Sequence, residues 1–251
     1  MTFFISEKST LTSSERLGML VHVPKCGGSA IQKFIQDQGP LLTRPYPSMN
    51  HHRSLAESLL FATRLGAQLD FVIIPWRNPL EWRLSIYNYA KRQSPDVSFM
   101  PFENYFFKTI SFEDYLQMLL ESDPWKSPRN LSRSELPWNA LWTWLITLQN
   151  CSNIPRRVYL VNASRNVYTA IGRILSDEFP EHDRQNHNDS TQEINVFTKA
   201  EERNLVISNL PPAMRKCLVS YDMGKLLDYL SFRQDMQCFE GSAWLNRWSE
   251  F

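Results

Sequence analysis

Between Leu17 and Ile35 the chain passes from an apolar run through a glycine turn into a helix-forming segment, and few folds accommodate that order. Leu17-Gly18-Met19-Leu20-Val21-His22-Val23 is short and nearly continuous in apolar residues, the pattern of a strand buried on both faces. Pro24-Lys25-Cys26-Gly27-Gly28-Ser29 follows at once. Ala30-Ile31-Gln32-Lys33-Phe34-Ile35 then places its apolar residues at helical spacing. A strand, a glycine turn and a helix in that order aim backbone N–H groups and the positive end of a helix at an anion. Gly27 and Gly28 let the backbone approach it closely. Lys25 adds a mobile positive charge, and Ser29 a hydroxyl donor.

The turn is neither of the two common phosphate loops. A Walker A loop carries its lysine after the glycines, and here Lys25 precedes them. The spaced glycines of a dinucleotide fingerprint are absent as well. A second unit of the same kind follows. Phe71-Val72-Ile73-Ile74-Pro75-Trp76 reads as a strand, Arg77-Asn78-Pro79 ends it, and Leu80 to Arg92 reads as a helix with Leu80, Leu84 and Tyr87 on one side. Arg77 and Ser85 stand eight residues apart, and Ser85-Ile86-Tyr87 closes the segment. A guanidinium fork donates two hydrogen bonds to one phosphate.

These two motifs resemble those of sulfotransferases that use 3′-phosphoadenosine 5′-phosphosulfate. The first is closest to the Pro-Lys-Thr-Gly-Gly-Thr loop of the carbohydrate-type and related bacterial members. The second is similar to their Arg-Asp/Asn-Pro … Ser-x-Tyr segment. The resemblance implies that Lys25, Cys26, Gly27, Gly28, Ser29 and Ala30 hold the 5′-phosphosulfate end, and that Arg77 and Ser85 hold the 3′-phosphate. It continues more weakly along the chain. Asn50 to Glu57 looks like a segment in which a histidine precedes a helix. Ser111-Phe112-Glu113-Asp114-Tyr115 resembles a helix start, and Arg157 to Val161 a later core strand. His187-Asn188-Asp189-Ser190 resembles a loop near the cofactor, which adds Asn188 and Ser190 to the binding set. Tyr221 to Leu226 resembles a closing helix, so the similarity spans about residues 17 to 230. The chain also departs from the pattern. Cys26 and Ala30 replace hydroxyl residues, Trp82 stands where a second arginine is usual with Arg83 next to it, and Asn162-Ala163-Ser164 replaces Glu-Asn-Leu.

The implied chemistry is direct in-line transfer of a sulfuryl group to a hydroxyl or amine. Lys25 is the expected catalytic cation at the bridging oxygen. Histidine takes a proton near neutral pH, and the resemblance implies His52 as the general base because it matches the family position after the first helix, with His51 as runner-up. His22 lies on the first strand and reads as a packed core residue, and His182 and His187 fall in a polar loop without the pattern of a metal site. A nucleophilic Cys26 is disfavoured because transfer in the family is direct. No metal is expected. The acceptor is expected to be a small molecule, with a carbohydrate as the alternative. A small-molecule kinase with a P-loop-like cradle, and an inactive nucleotide-binding module, are the competing classes.

Composition agrees with one globular domain. The 251 residues are 43% hydrophobic and 21% charged, with a formal net charge of +1. That balance argues against a nucleic-acid-coating surface. No run approaches a membrane span, and no basic segment followed by a long apolar one opens the chain, so a cytoplasmic protein without a membrane partner is expected. Cys26, Cys151, Cys217 and Cys238 lack paired metal-ligand spacing and read as free thiols. The expected fold is a single α/β domain over residues 1–251: a P-loop-like, three-layer αβα arrangement with a mainly parallel central sheet. Residues of about 94–140, rich in aromatics such as Phe107, Trp125 and Trp138, are expected to frame the acceptor side. Residues 239–251 are expected to form a C-terminal helical extension. A homo-oligomer is compatible with all of this.

Overall fold

A computed structural model describes residues 2–6, 17–37, 41–45, 54–92, 107–121, 141, 144, 155–180, 201–232 and 236–238. Six strands form one sheet: β1 (Thr2–Ser6), β2 (Leu17–Leu20), β3 (Leu41–Pro45), β4 (Phe71–Trp76), β5 (Arg157–Asn162) and β6 (Met236–Cys238), in the order β3-β1-β2-β4-β5-β6. β2, β4 and β5 are its parallel centre, and β6 continues that direction. β1 lies antiparallel to both β2 and β3. The helices are α1 (Gly28–Asp37), α2 (Leu55–Arg64), α3 (Pro79–Arg92), α4 (Phe112–Glu121), α5 (Val167–Glu178), α6 (201–208) and α7 (Pro212–Phe232).

Strand alternation sorts the core into two layers. Met19, Val21, Val72, Ile74, Trp76, Val158 and Leu160 face one side, where α2, α3, α4 and α7 supply partners such as Leu59, Leu84, Leu116 and Leu218. Leu20, Phe71, Ile73, Tyr159 and Val161 face the other, against Ile31 and Ile35 of α1 and Ile171 and Ile174 of α5. Both faces of β4 are therefore covered, which is why all six of its residues are buried and its sequence shows no polar alternation. The arrangement is α/β and compatible with a three-layer αβα sandwich.

Most of the expected elements form where the residues indicate. β4 covers Phe71–Trp76, and α3 begins at Pro79, one residue before the expected start. Pro79 fits the first turn because its missing N–H has no intrahelical acceptor there. The Asn78 carboxamide oxygen caps this helix, accepting from Leu80 N–H at 2.8 Å. Ser54 and Glu57 form a reciprocal capping box on α2, and Ser111 and Asp114 do the same at α4. The first strand is shorter than its apolar run. β2 ends at Leu20, Val21 N–H still reaches Ile73 O at 3.0 Å, and Val23 N–H turns back to Val21 O at 3.1 Å. The tight turn, not loss of apolar character, stops the strand. Of the proposed acceptor-side region, about 94–140, only 107–121 is described. There Phe107 joins Tyr87, Phe112 and Tyr115 in an aromatic core cluster. Residues 239–251 lie outside the described residues.

Gly18 sits inside β2 because the Phe71 ring on the neighbouring strand lies across it. A Cβ at position 18 would stand 2.2 Å from that ring. Phe71 has little freedom to yield, since Tyr159 and Phe179 meet it edge-on at 6.1 and 5.7 Å between centroids. Gly18→Ala is expected to destabilise the fold by about 2 kcal/mol. A denaturant midpoint equal to that of the parent would show that the ring has room to move.

Candidate functional site

The site lies at the carboxyl ends of β2 and β4. These strands are hydrogen-bonded neighbours, yet the helices that follow them leave in opposite directions. α1 packs on one face of the sheet and α3 on the other. Such a divergence opens a crevice beyond the strand ends, the usual ligand position in an open α/β sheet. The glycine turn forms one wall of this crevice, and Arg77-Asn78 begins the other.

Two residues of the turn carry positive φ, Lys25 at 61° and Gly27 at 78°. Lys25 accepts that conformation without the freedom of a glycine, so the turn is held by its surroundings. Cys26 N–H donates to Val23 O at 3.3 Å, and the Trp82 indole N–H donates to Pro24 O at 2.8 Å. Gly27 caps α1, its carbonyl accepting from Ile31 N–H at 3.0 Å. The N–H groups of Gly28, Ser29 and Ala30 then stand in the first turn, where the helix supplies them no acceptor. Gly28 has a second reason to lack a side chain. A Cβ there would stand 2.3 Å from the His22 ring, which is buried beneath the turn. His22 is thus the packed residue its place on the first strand suggests.

Cys26 faces inward. Its side chain is fully buried in the core, and burial pushes the thiol up to about 12, outweighing the pull of Arg77. It remains a neutral thiol at physiological pH, unsuited to nucleophilic work. Cys26 and Cys217 are both free. Lys25 is half-buried, with its ammonium 4.4 Å from the centre of the Tyr89 ring. Burial is the main reason its pKa lies below the ordinary value. Arg92, Arg77 and Arg203 lower it further, in that order.

Arg77 is 6% exposed, and its Nε hydrogen has no partner. A buried guanidinium donor left unpaired next to other cations is costly, and an anion relieves both terms. Ser85 lies between Glu81 and Tyr89 at i+4 spacing on α3, the side of the helix that meets Lys25 through Tyr89. Lys25, the turn, Arg77 and the Ser85 face of α3 are therefore brought together. His52, His51, Asn188 and Ser190, together with His182 and His187, lie outside the described residues.

Other residues join the site without having been singled out from the sequence. Tyr89 and Arg92 follow Ser85 at i+4 and i+7, so helical spacing carried their signal. Glu81 is buried and accepts a 2.6 Å hydrogen bond from Ser164 Oγ, which brings in the loop after β5. Arg203 arrives from α6, with Nη1 3.5 Å from Glu81 Oε2. Nothing local in the sequence announces it. Arg83 goes elsewhere: it is buried and hydrogen-bonds Tyr115, while Trp82 fills the place next to the turn.

The described residues contain no group of three or more His, Cys, Asp and Glu placed to share a metal ion. Among them, no helix is long and apolar enough to cross a membrane. No family model, curated protein or solved structure matches the chain.

Proposed function

We propose that the chain is a sulfotransferase with a P-loop-like nucleotide site, moving a sulfuryl group from 3′-phosphoadenosine 5′-phosphosulfate to a hydroxyl or amine of a small acceptor. The observation that carries this reading is the buried Arg77, with an unpartnered Nε, across the β2–β4 crevice from a turn whose helix-end N–H groups are free of intrahelical partners. A ligand with an anion at each end suits that pair of walls. The spacing of Arg77 and Ser85, and the order of Lys25 and the glycines, favour a bisphosphorylated adenosine over a nucleoside triphosphate.

The bound nucleotide supplies an activated sulfuryl group on a good leaving phosphate. The residues of the chain do the rest. The N–H groups of Gly28, Ser29 and Ala30 hold the 5′-phosphate, and Arg77 and Ser85 orient the 3′-phosphate. Lys25 neutralises the charge that grows on the bridging oxygen as the bond to sulfur breaks. The acceptor's proton passes to His52, or to His51 in its place. Carbohydrates remain the alternative acceptor class, and a cytoplasmic setting belongs to the same reading.

Thermal unfolding in the presence of nucleotides tests the proposal. 3′-Phosphoadenosine 5′-phosphate without added metal, at about 100 times its dissociation constant, is expected to raise the midpoint by roughly 5–10 °C. Adenosine 5′-phosphate, lacking the 3′-phosphate, is expected to do much less. Stabilisation by ATP with magnesium, and none by the 3′-phosphorylated nucleotide, would point to phosphoryl transfer. The acceptor is then sought by the mass gain of one sulfo group across a panel of small hydroxyl and amine compounds.

A further inference from the structure

Trp82 occupies the position on α3 that meets the turn, and Arg83 is turned towards Tyr115. A guanidinium nevertheless reaches the site from a distant part of the chain. Arg203 has a side chain only 19% exposed, and its Nη1 makes no hydrogen bond. Burial lowers its pKa most, Arg77 lowers it further, and Glu81 opposes both. The same charge acts on Lys25 and Cys26, so Arg203 stands within the field of the turn.

Glu81 is a carboxylate among cations, and it is held from several sides. Its N–H lies 3.4 Å from Asn78 Oδ1, and its Oε2 accepts from Ser164 Oγ at 2.6 Å. Ser164 is fixed in turn, its N–H donating to Asn162 Oδ1 at 2.9 Å. Oε2 also faces Arg203 Nη1 at 3.5 Å. A negative charge beside an anion site weakens anion binding by repulsion. Its presence there makes physical sense when it orients a cation that contributes more than the repulsion removes.

We infer that Arg203 is an anion-binding residue of this site, and that Glu81, braced by Ser164, is the positioning residue that holds the Arg203 guanidinium near Arg77. The group it serves is a phosphate dianion, which the planar fork matches. The inference rests on the reading that a phosphate-bearing nucleotide binds in the crevice. Its particular content is that the second guanidinium comes from α6.

Calorimetric titration with 3′-phosphoadenosine 5′-phosphate tests it on the full chain. Arg203→Ala is expected to weaken binding about 30-fold, with partial recovery in Arg203→Lys. Glu81→Gln is expected to weaken it about 10-fold, although the change removes a repulsive charge. A bystander carboxylate gives the opposite sign. In an Arg203→Ala background Glu81→Gln is expected to add no further loss, because its effect runs through Arg203. Where Glu81→Gln fails to fold, Ser164→Ala loosens the same carboxylate without removing its charge and is expected to weaken binding about threefold. Unchanged affinity in Arg203→Ala, tighter binding in Glu81→Gln, or an equal Glu81→Gln loss in both backgrounds would overturn the inference. Should the parent protein not bind the nucleotide, thermal shift with inorganic pyrophosphate separates the two ideas. A stabilisation lost in Arg203→Ala upholds the anion role while the nucleotide reading falls, and an equal response of both proteins overturns that role.

Discussion

Lys25→Ala is expected to lower turnover by about 100- to 1,000-fold, while affinity for 3′-phosphoadenosine 5′-phosphate falls far less. On the proposed reading this nucleotide is the product and carries no developing charge on a bridging oxygen, so it reports ground-state contacts alone. The ammonium is pre-placed by a positive-φ backbone at residue 25 and by the Tyr89 ring, so in the proposed transfer it would cost little to orient. Its pH dependence has a definite sign. Burial and the three nearby arginines hold the Lys25 pKa below the ordinary 10.5, so the cation is lost on the alkaline side earlier than for a free lysine. kcat/KM is expected to fall as pH rises through that lowered value. The limb in kcat is expected at higher pH, because a bound anion offsets the arginine field and restores the proton. Equal losses in kcat and in nucleotide affinity for Lys25→Ala would reduce Lys25 to a binding residue.

Arg77→Met is expected to weaken binding of 3′-phosphoadenosine 5′-phosphate by about 100-fold and to leave the free protein at least as stable as the parent. The first effect follows from losing a charge-assisted pair of hydrogen bonds inside a buried crevice. The second follows from the state of Arg77 without ligand. It is 6% exposed, its Nε has no partner, and it lowers the pKa of both Lys25 and Arg203. A methionine of similar length removes that unpaired donor and the mutual repulsion, a gain of about 1 kcal/mol. Titration calorimetry and chemical denaturation on the same samples read the two effects. A destabilised variant with unchanged affinity would make Arg77 a structural arginine, and the crevice would lose its far wall.

The parallel centre of the sheet was legible because its local signals agree with the tertiary outcome. Phe71–Trp76 is apolar throughout, as a strand covered on both faces must be, and Asn78-Pro79 supplies both the cap and the first turn of α3. β1 and β3 were not legible. Thr2–Ser6 and Leu41–Pro45 are five-residue segments whose strand state depends on pairing with each other and with β2, so no local pattern marks them.

The candidate site divides along the same line. The sequence by itself marked the turn, since Pro24, Gly27 and Gly28 carry their backbone requirements with them and Lys25 its charge, while the positive φ of Lys25 is held by the surrounding structure. It also determined where Ser85 falls on α3, because a helix turns fixed increments into a fixed face, whereas Arg77 precedes that helix and is placed by the end of β4. Only the tertiary structure decided which second arginine reaches that site. Moving a residue by one position on a helix rotates its side chain by about 100°. Arg83 is therefore carried off the turn-facing side to Tyr115, and Trp82 takes the hydrogen bond to Pro24 O. Arg203 reaches the site through the packing of α6, and Glu81 and Ser164 meet it across three separate segments. Contacts between residues so far apart in the chain leave no periodic trace in the sequence. They exist only once burial has brought the segments to the same end of the sheet, where unpaired charge must find a partner or be left at a cost.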